Sequence, residues 1–133
     1  MVAFDRALLA AGAGDLNLLR LSSILPPHMK RTETIEVLPG SLVSAAYACE
    51  TSNQCGLRIA AAIAIAFPVE KGRAAVIMEQ SSSDSAANVE ADAVEMARAA
   101  LRSRGLAIAS VESIAIEHVV ASYGCAFAGV IQY

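Results

Sequence analysis

Asn17-Leu18-Leu19-Arg20-Leu21-Ser22-Ser23-Ile24-Leu25-Pro26-Pro27 is an apolar run with two adjacent serines near its end and two prolines closing it. A strand buried on both faces loses the alternation of apolar and polar residues, and Leu16 to Leu25 reads as such a strand. Pro26-Pro27 ends it, because neither residue can donate to a ladder. A hydroxyl buried without a partner costs roughly 1–3 kcal/mol, so Ser22 and Ser23 each need a partner or a chemical task.

Upstream of this run, Phe4, Ala7, Leu8 and Ala11 recur at helical spacing. Gly12 and Gly14 follow where a helix ends in a left-handed turn, which predicts a short amphipathic helix over Ala3 to Ala11. Downstream, His28 to Ser41 is polar, closes on Pro39-Gly40 and reads mostly as loop, with room for a short strand near Ile35 to Leu38. Leu42 to Cys49 is a strand candidate, and Glu50 to Gly56 is a turn rich in Thr, Ser and Asn. The alanines of Leu57 to Phe67 would suit a helix. Ile59, Ile63, Ile65 and Phe67 favour period two, however, and Pro68 follows at once, so a strand is preferred.

Glu70 to Arg73 turns around Gly72, and Ala74 to Glu79 forms the next strand. The polar loop Gln80 to Ser85 then supplies a helix N-cap at Asp84 or Ser85. Ala86 to Arg104 is an amphipathic helix with Val89, Ala93, Met96 and Ala100 along one line and Val94, Ala97 and Leu101 beside it. Its acids come first and its arginines last, which complements the helix dipole, and Gly105 is placed to end it. Leu106 to Glu117 and Gly124 to Tyr133 are the last two strands. Five or six strands with a helix near each end of the sequence describe an α/β sandwich.

The 133 residues suffice for a single domain, 1–133, with a real core, and 56% of them are hydrophobic. Part of that apolar surplus can be covered by identical subunits. The net charge is -3 and no cluster of Lys and Arg stands out, so nucleic acid is not expected as a partner. Cys49, Cys55 and Cys125 are odd in number and lack CxxC spacing, and His28 lies far from them in sequence, while a lone His118 does not complete a ligand set. Free thiols and no metal are the expectation. The longest apolar run, Ile59 to Val69, contains Pro68 and is too short to span a bilayer, and no basic-then-apolar leader is seen. A soluble, cytoplasmic protein without a membrane partner is expected.

A serine hydroxyl after a strained peptide bond can attack the preceding carbonyl, converting the amide to an ester. Elimination of that ester cuts the chain and leaves dehydroalanine, which hydrolyses to a pyruvoyl group. Here Ser23 would attack and Ser22 would become the new C-terminus. The oxyanion that develops needs a fixed donor, and the side-chain amide of Asn17, six residues before Ser23, is a candidate. A pyruvoyl group is an electron-withdrawing ketone, and chemistry that leaves a carbanion beside it requires an acid to protonate that carbanion. Glu79, the only charged residue between Ala74 and Ser83, stands at the end of an apolar strand and suits that task. Taken singly, these residues have ordinary readings. Paired serines usually bond to backbone, Glu79 would face water at a strand end, Asn17 would open a strand, and Asp5 would complement a helix N-terminus.

Several motifs in order resemble the pyruvoyl-dependent arginine decarboxylase family. Ala3-Phe4-Asp5 with Ala7-Leu8-Leu9 and Ala11-Gly12 looks like its first helix, and Asn17-Leu18 through Ser22-Ser23-Ile24-Leu25-Pro26-Pro27 looks like its processing motif. Val76-Ile77-Met78-Glu79 resembles its strand ending in Met-Glu, and Glu117-His118 with Gly124-Cys125-Ala126-Phe127-Ala128 its last two elements. Members usually carry a further strand and a glycine-containing turn ahead of the helix, whereas this sequence starts almost at the helix.

The resemblance implies an α+β fold, a four-layer α/β/β/α sandwich of mostly antiparallel or mixed sheets. It implies a homotrimer of cleaved protomers with active sites between neighbours. At the matching positions, Ser23 would be the pyruvoyl precursor, Ser22 the end of the small chain, Asn17 an aid to processing and Glu79 the proton donor. Asp5 would bind the guanidinium of arginine, a contact in which a carboxylate accepts two parallel bonds. The implied reaction is conversion of L-arginine to agmatine and carbon dioxide. The alternatives are an uncleaved, non-catalytic trimeric homologue, or the same chemistry on another small amino acid.

Overall fold

The computed structural model describes residues 2–133. Chain order is α1 (Val2–Ala10), β1 (Asn17–Arg20), β2 (Ile24–Leu25), β3 (Leu42–Ser52), β4 (Arg58–Pro68), β5 (Ala75–Ser82), α2 (Ala86–Arg102), β6 (Ile108–Val119) and β7 (Gly124–Gln132). A three-stranded sheet has the order β1-β3-β7 and a four-stranded sheet the order β2-β5-β4-β6. β1 runs parallel to β3, and the other pairings are antiparallel.

The layers follow from which side chains each strand turns inward. β4 is buried along nearly its whole length. Its Ile59, Ala61 and Ile63 meet Ala46 and Ala48 of β3 and Ala126 and Ala128 of β7 between the sheets. Its Ala60, Ala62, Ala64 and Ala66 face the other way, against Val89, Ala93, Ala97 and Leu101 of α2. Methyl-sized residues let the helix lie close on the sheet, and full burial of Val89 and Leu101 is worth about 1.5–3 kcal/mol each. On the opposite outer face, α1 sets Phe4 against Tyr47 and Phe127, with ring centroids 6.4 and 6.1 Å away. The result is α1, first sheet, second sheet, α2, the four-layer α/β/β/α arrangement.

α2 is bounded as its sequence suggests. The Ser85 side chain accepts from the Asn88 N–H at the N-cap, and Gly105 takes a left-handed turn at φ +69° just beyond the C-cap. Among the described residues no helix is long and apolar enough to cross a membrane.

Four expectations change. Leu16 to Leu25 is two short strands in two different sheets rather than one doubly buried strand, and Leu19 and Ile24 are exposed. No strand forms near Ile35 to Leu38. β5 continues through Ser82, so Glu79 lies within a strand and not at its end; pairing with Ala60 to Ile63 of β4 carries the ladder through these polar residues. Met96 lies on the outer side of α2, where Ala97 takes the buried position.

Candidate active site

β1 is an edge of the first sheet and β2 an edge of the second, and Leu21-Ser22-Ser23 carries the chain across. Both ends of the crossing are fastened. The Leu21 N–H donates to the Ala45 carbonyl at 2.9 Å on one side, and the Ile77 N–H donates to the Ser23 carbonyl at 2.9 Å on the other. The Gln132 side chain adds a 3.3 Å bond from β7 to the Ile24 carbonyl. Held between these anchors, Ser23 adopts φ +69°. A left-handed backbone costs a residue bearing Cβ about 1–2 kcal/mol, so strain sits beside the Ser22–Ser23 peptide bond.

The Ser23 hydroxyl donates to Glu79 Oε1. Glu79 pairs with Ile63 on β4 and, by strand alternation, shares a face with Ile77 and Ser81, so its carboxylate looks into the space between the sheets. Two residues on, Ser81 Oγ donates to Glu50 Oε2 at 2.9 Å and to the Cys49 carbonyl at 3.3 Å, tying β5 to β3. The intact chain thus holds a hydroxyl with a carboxylate acceptor, next to the carbonyl of Ser22. A carboxylate so placed can take the proton of a hydroxyl that becomes a nucleophile, and later return a proton to an adjacent atom.

The other expected site residues lie elsewhere in the protomer. Asn17 opens β1, and roughly 13 Å of extended strand separates it from Leu21. Its Nδ2 donates to the Gly40 carbonyl at 2.8 Å. Asp5 is exposed on α1, the helix that covers the first sheet, and makes no ion pair among the described residues. The structure therefore unites Ser22, Ser23 and Glu79 and leaves Asn17 and Asp5 apart from them. Reading the sequence missed Ile77 and Gln132 as supports of the crossing. Ile77 acts through its backbone, which leaves no sequence signal, and Gln132 reaches Ile24 only through packing across the sandwich.

A family model described as pyruvoyl-dependent arginine decarboxylase matches residues 1–132. The pyruvoyl-dependent arginine decarboxylase of Methanocaldococcus jannaschii is 42% identical over 126 residues, which cover 95% of this chain and 76% of that protein. That of Methanothermobacter thermautotrophicus is 36% identical over 129 residues, with 97% and 84% covered. Among solved structures, a pyruvoyl-dependent histidine decarboxylase at pH 8 superposes with a TM-score of 0.61 at 14% identity. That superposition covers 80% of this chain and 56% of the other, and it speaks to the fold alone.

Proposed function

This chain belongs to the pyruvoyl-dependent arginine decarboxylase family, and on that premise we propose that it cuts itself between Ser22 and Ser23 and converts L-arginine to agmatine and carbon dioxide. The observation that carries the reading is the Ser23–Glu79 hydrogen bond at a serine of left-handed backbone. Glu79 accepts the hydroxyl proton as Ser23 Oγ adds to the Ser22 carbonyl carbon. Collapse breaks the C–N bond, the amine of Ser23 takes up a proton, and an ester links Ser22 to Oγ. Loss of the Ser23 α-proton expels the Ser22 carboxylate and leaves dehydroalanine, whose hydrolysis releases ammonia.

The residues around Ser23 fit the pyruvoyl group that results. The Ser23 carbonyl, already bonded by the Ile77 N–H, would become its amide carbonyl, and Glu79 would stand beside it. Such a group supplies a ketone that takes up the substrate amine and withdraws electrons as carbon dioxide leaves. Glu79 then serves as the acid that returns a proton to the former α-carbon.

Asn17 and Asp5 enter this reading through assembly. We assign them to the site of a neighbouring protomer in a homotrimer, Asn17 as a donor during cleavage and Asp5 as the acceptor of the guanidinium. Support comes from their distance from Ser23 within the protomer, and from the exposed Leu19, Leu42, Ile114 and Ile116 on edge or outer positions of the sheets. Denaturing electrophoresis with intact-mass measurement tests the whole. Fragments 1–22 and 23–133, the second with a blocked N-terminus, and agmatine formed from arginine are the expected result. Only full-length chain after prolonged incubation overturns it.

A further inference from the structure

Cys49 and Cys125 are 76 residues apart in sequence, yet their sulfurs are 3.4 Å apart. Register explains the meeting: Cys49 pairs with Phe127 and Cys125 with Thr51, so the two cysteines are diagonal neighbours on one face of β3–β7. That face is the outer one, shared with Tyr47 and Phe127, since Ala46, Ala48, Ala126 and Ala128 point inward. Both thiols are half-buried and reduced. The third cysteine, Cys55, is exposed in the β3–β4 turn, with no sulfur neighbour among the described residues.

We propose that Cys49 and Cys125 are a redox modification site, a dithiol that closes to a reversible cross-strand disulfide by exchange with a low-molecular-weight disulfide. Closing the pair needs the sulfurs to approach by roughly 1.4 Å, to the 2.03–2.05 Å of a disulfide. Rotation about the two Cα–Cβ bonds supplies part of this. The rest comes from the end of the ladder: Cys125 is the second residue of β7, and Cys49 is three residues before the end of β3.

The order of attack follows from the surroundings. Burial first, and then the hydrogen bond and charge of the neighbouring Cys49, push the Cys125 thiol up to about 12. Cys49 therefore attacks first, forming a mixed disulfide with one half of the reagent and releasing the other half as a thiol. Capping Cys49 removes both of its contributions at Cys125. The Cys125 sulfur then displaces the remaining half, which also leaves as a thiol. Two electrons pass to the reagent disulfide, and the two thiol hydrogens leave on the two product thiols.

The test uses the full chain under native conditions with oxidised glutathione, followed by alkylation of residual thiols and peptide mapping by mass. Both cysteines fall in the fragment 23–133, so cleavage at Ser22 does not alter the readout. Exposed Cys55 serves as the internal gauge that the reagent has acted. The expected product carries glutathione on Cys55 and a Cys49–Cys125 link lacking two hydrogens and any adduct, and it reverts with excess reduced thiol. In Cys125→Ser, glutathione is expected to remain on Cys49. The proposal is overturned if, once Cys55 is fully converted, Cys49 and Cys125 are both still alkylated as free thiols, or both carry glutathione.

Discussion

The crossing from β1 to β2 and the layer that joins β4 to α2 are built on opposite terms. The crossing has strands of four and two residues, an exposed Ser22 and a left-handed serine. The β4–α2 layer has an 11-residue strand and a 17-residue helix, with Ala60, Ala62, Ala64, Ala93, Ala97 and Leu101 all at 0% exposure. A peptide bond that is to break at its own serine must be held in an unfavourable conformation, and such strain persists only where the surroundings over-determine it. The rigid layer provides those surroundings. β4 carries β5, and β5 carries both Ile77 and Glu79, so the Ser23 carbonyl and hydroxyl are fastened to a strand paired with the deeply buried β4.

If this division holds, changes at the crossing alter chemistry with little effect on stability, and changes in the layer do the reverse. Ser23→Ala has the largest expected effect: no cleavage, no pyruvoyl group and no agmatine. The thermal midpoint should stay close to that of the uncleaved parent, because alanine bears the same Cβ at φ +69° and only the hydroxyl is lost. Cleavage by this variant, read as fragments 1–22 and 23–133, would remove Ser23 from the role of nucleophile. A fall in midpoint of many degrees would instead show that the crossing supports the fold.

Glu79→Gln comes next. An amide accepts the hydroxyl hydrogen bond but cannot take the proton, so cleavage should slow on the order of 10²–10⁴-fold. Whatever fraction does cleave should turn arginine over more slowly still, because glutamine has no proton to return to the α-carbon. Single-turnover cleavage and agmatine release, measured separately, distinguish the two losses. Wild-type cleavage with lost turnover would confine Glu79 to decarboxylation.

The same contrast explains what could be read from the sequence. α2 was legible from its period, from the cap expected at Asp84 or Ser85 and from Gly105, because a helix against a sheet writes a local pattern; the structure settles the cap on Ser85. β4 was legible as a strand despite its alanines, since Ile59, Ile63 and Ile65 keep period two and Pro68 follows. The crossing was not, because an apolar run reports burial and not which sheet does the burying. Arg20, which lies 4.4 Å over the Tyr47 ring, was the hint that the run does not stay inside one core. Ser23 and Glu79 were each singled out, but their meeting depends on β2–β5 pairing, Ile24 with Val76 and Leu25 with Ala75, far apart in the chain, which no local pattern encodes. The Cys49–Cys125 contact was hidden for the same reason, being a matter of β3–β7 register.

Ala93→Leu tests the layer from its own side. Ala93 has 0% exposure on the face of α2 that meets Ala60, Ala62 and Ala64. Three added carbons must displace the helix, at a cost of about 1–3 kcal/mol. Denaturant unfolding should show that loss, while the rate of Ser22–Ser23 cleavage well below the unfolding transition stays near the parent value. A cleavage rate that fell with stability would mean that the crossing is not independent of small shifts in the layer beneath Glu79.

The smallest expected effect lies at the start of α2, where the layer meets solvent. Asp84 Oδ1 accepts from the Ser85 N–H at 2.6 Å and from Asn88 Nδ2 at 2.9 Å. These bonds, the backbone one first, hold the Asp84 carboxyl below its ordinary value of 3.8. A lowered folded value means that the unfolded chain binds the proton more readily as the pH falls. The stabilisation is therefore complete above about 3.8 and is lost as the pH drops through the lower folded value. Asp84→Asn removes the titration while keeping an acceptor oxygen. The difference in thermal midpoint between parent and variant should be largest near neutral pH and shrink on acidification into that window. A difference that is the same at every pH, or that grows in acid, would show that the carboxylate contributes through its shape and not through its charge.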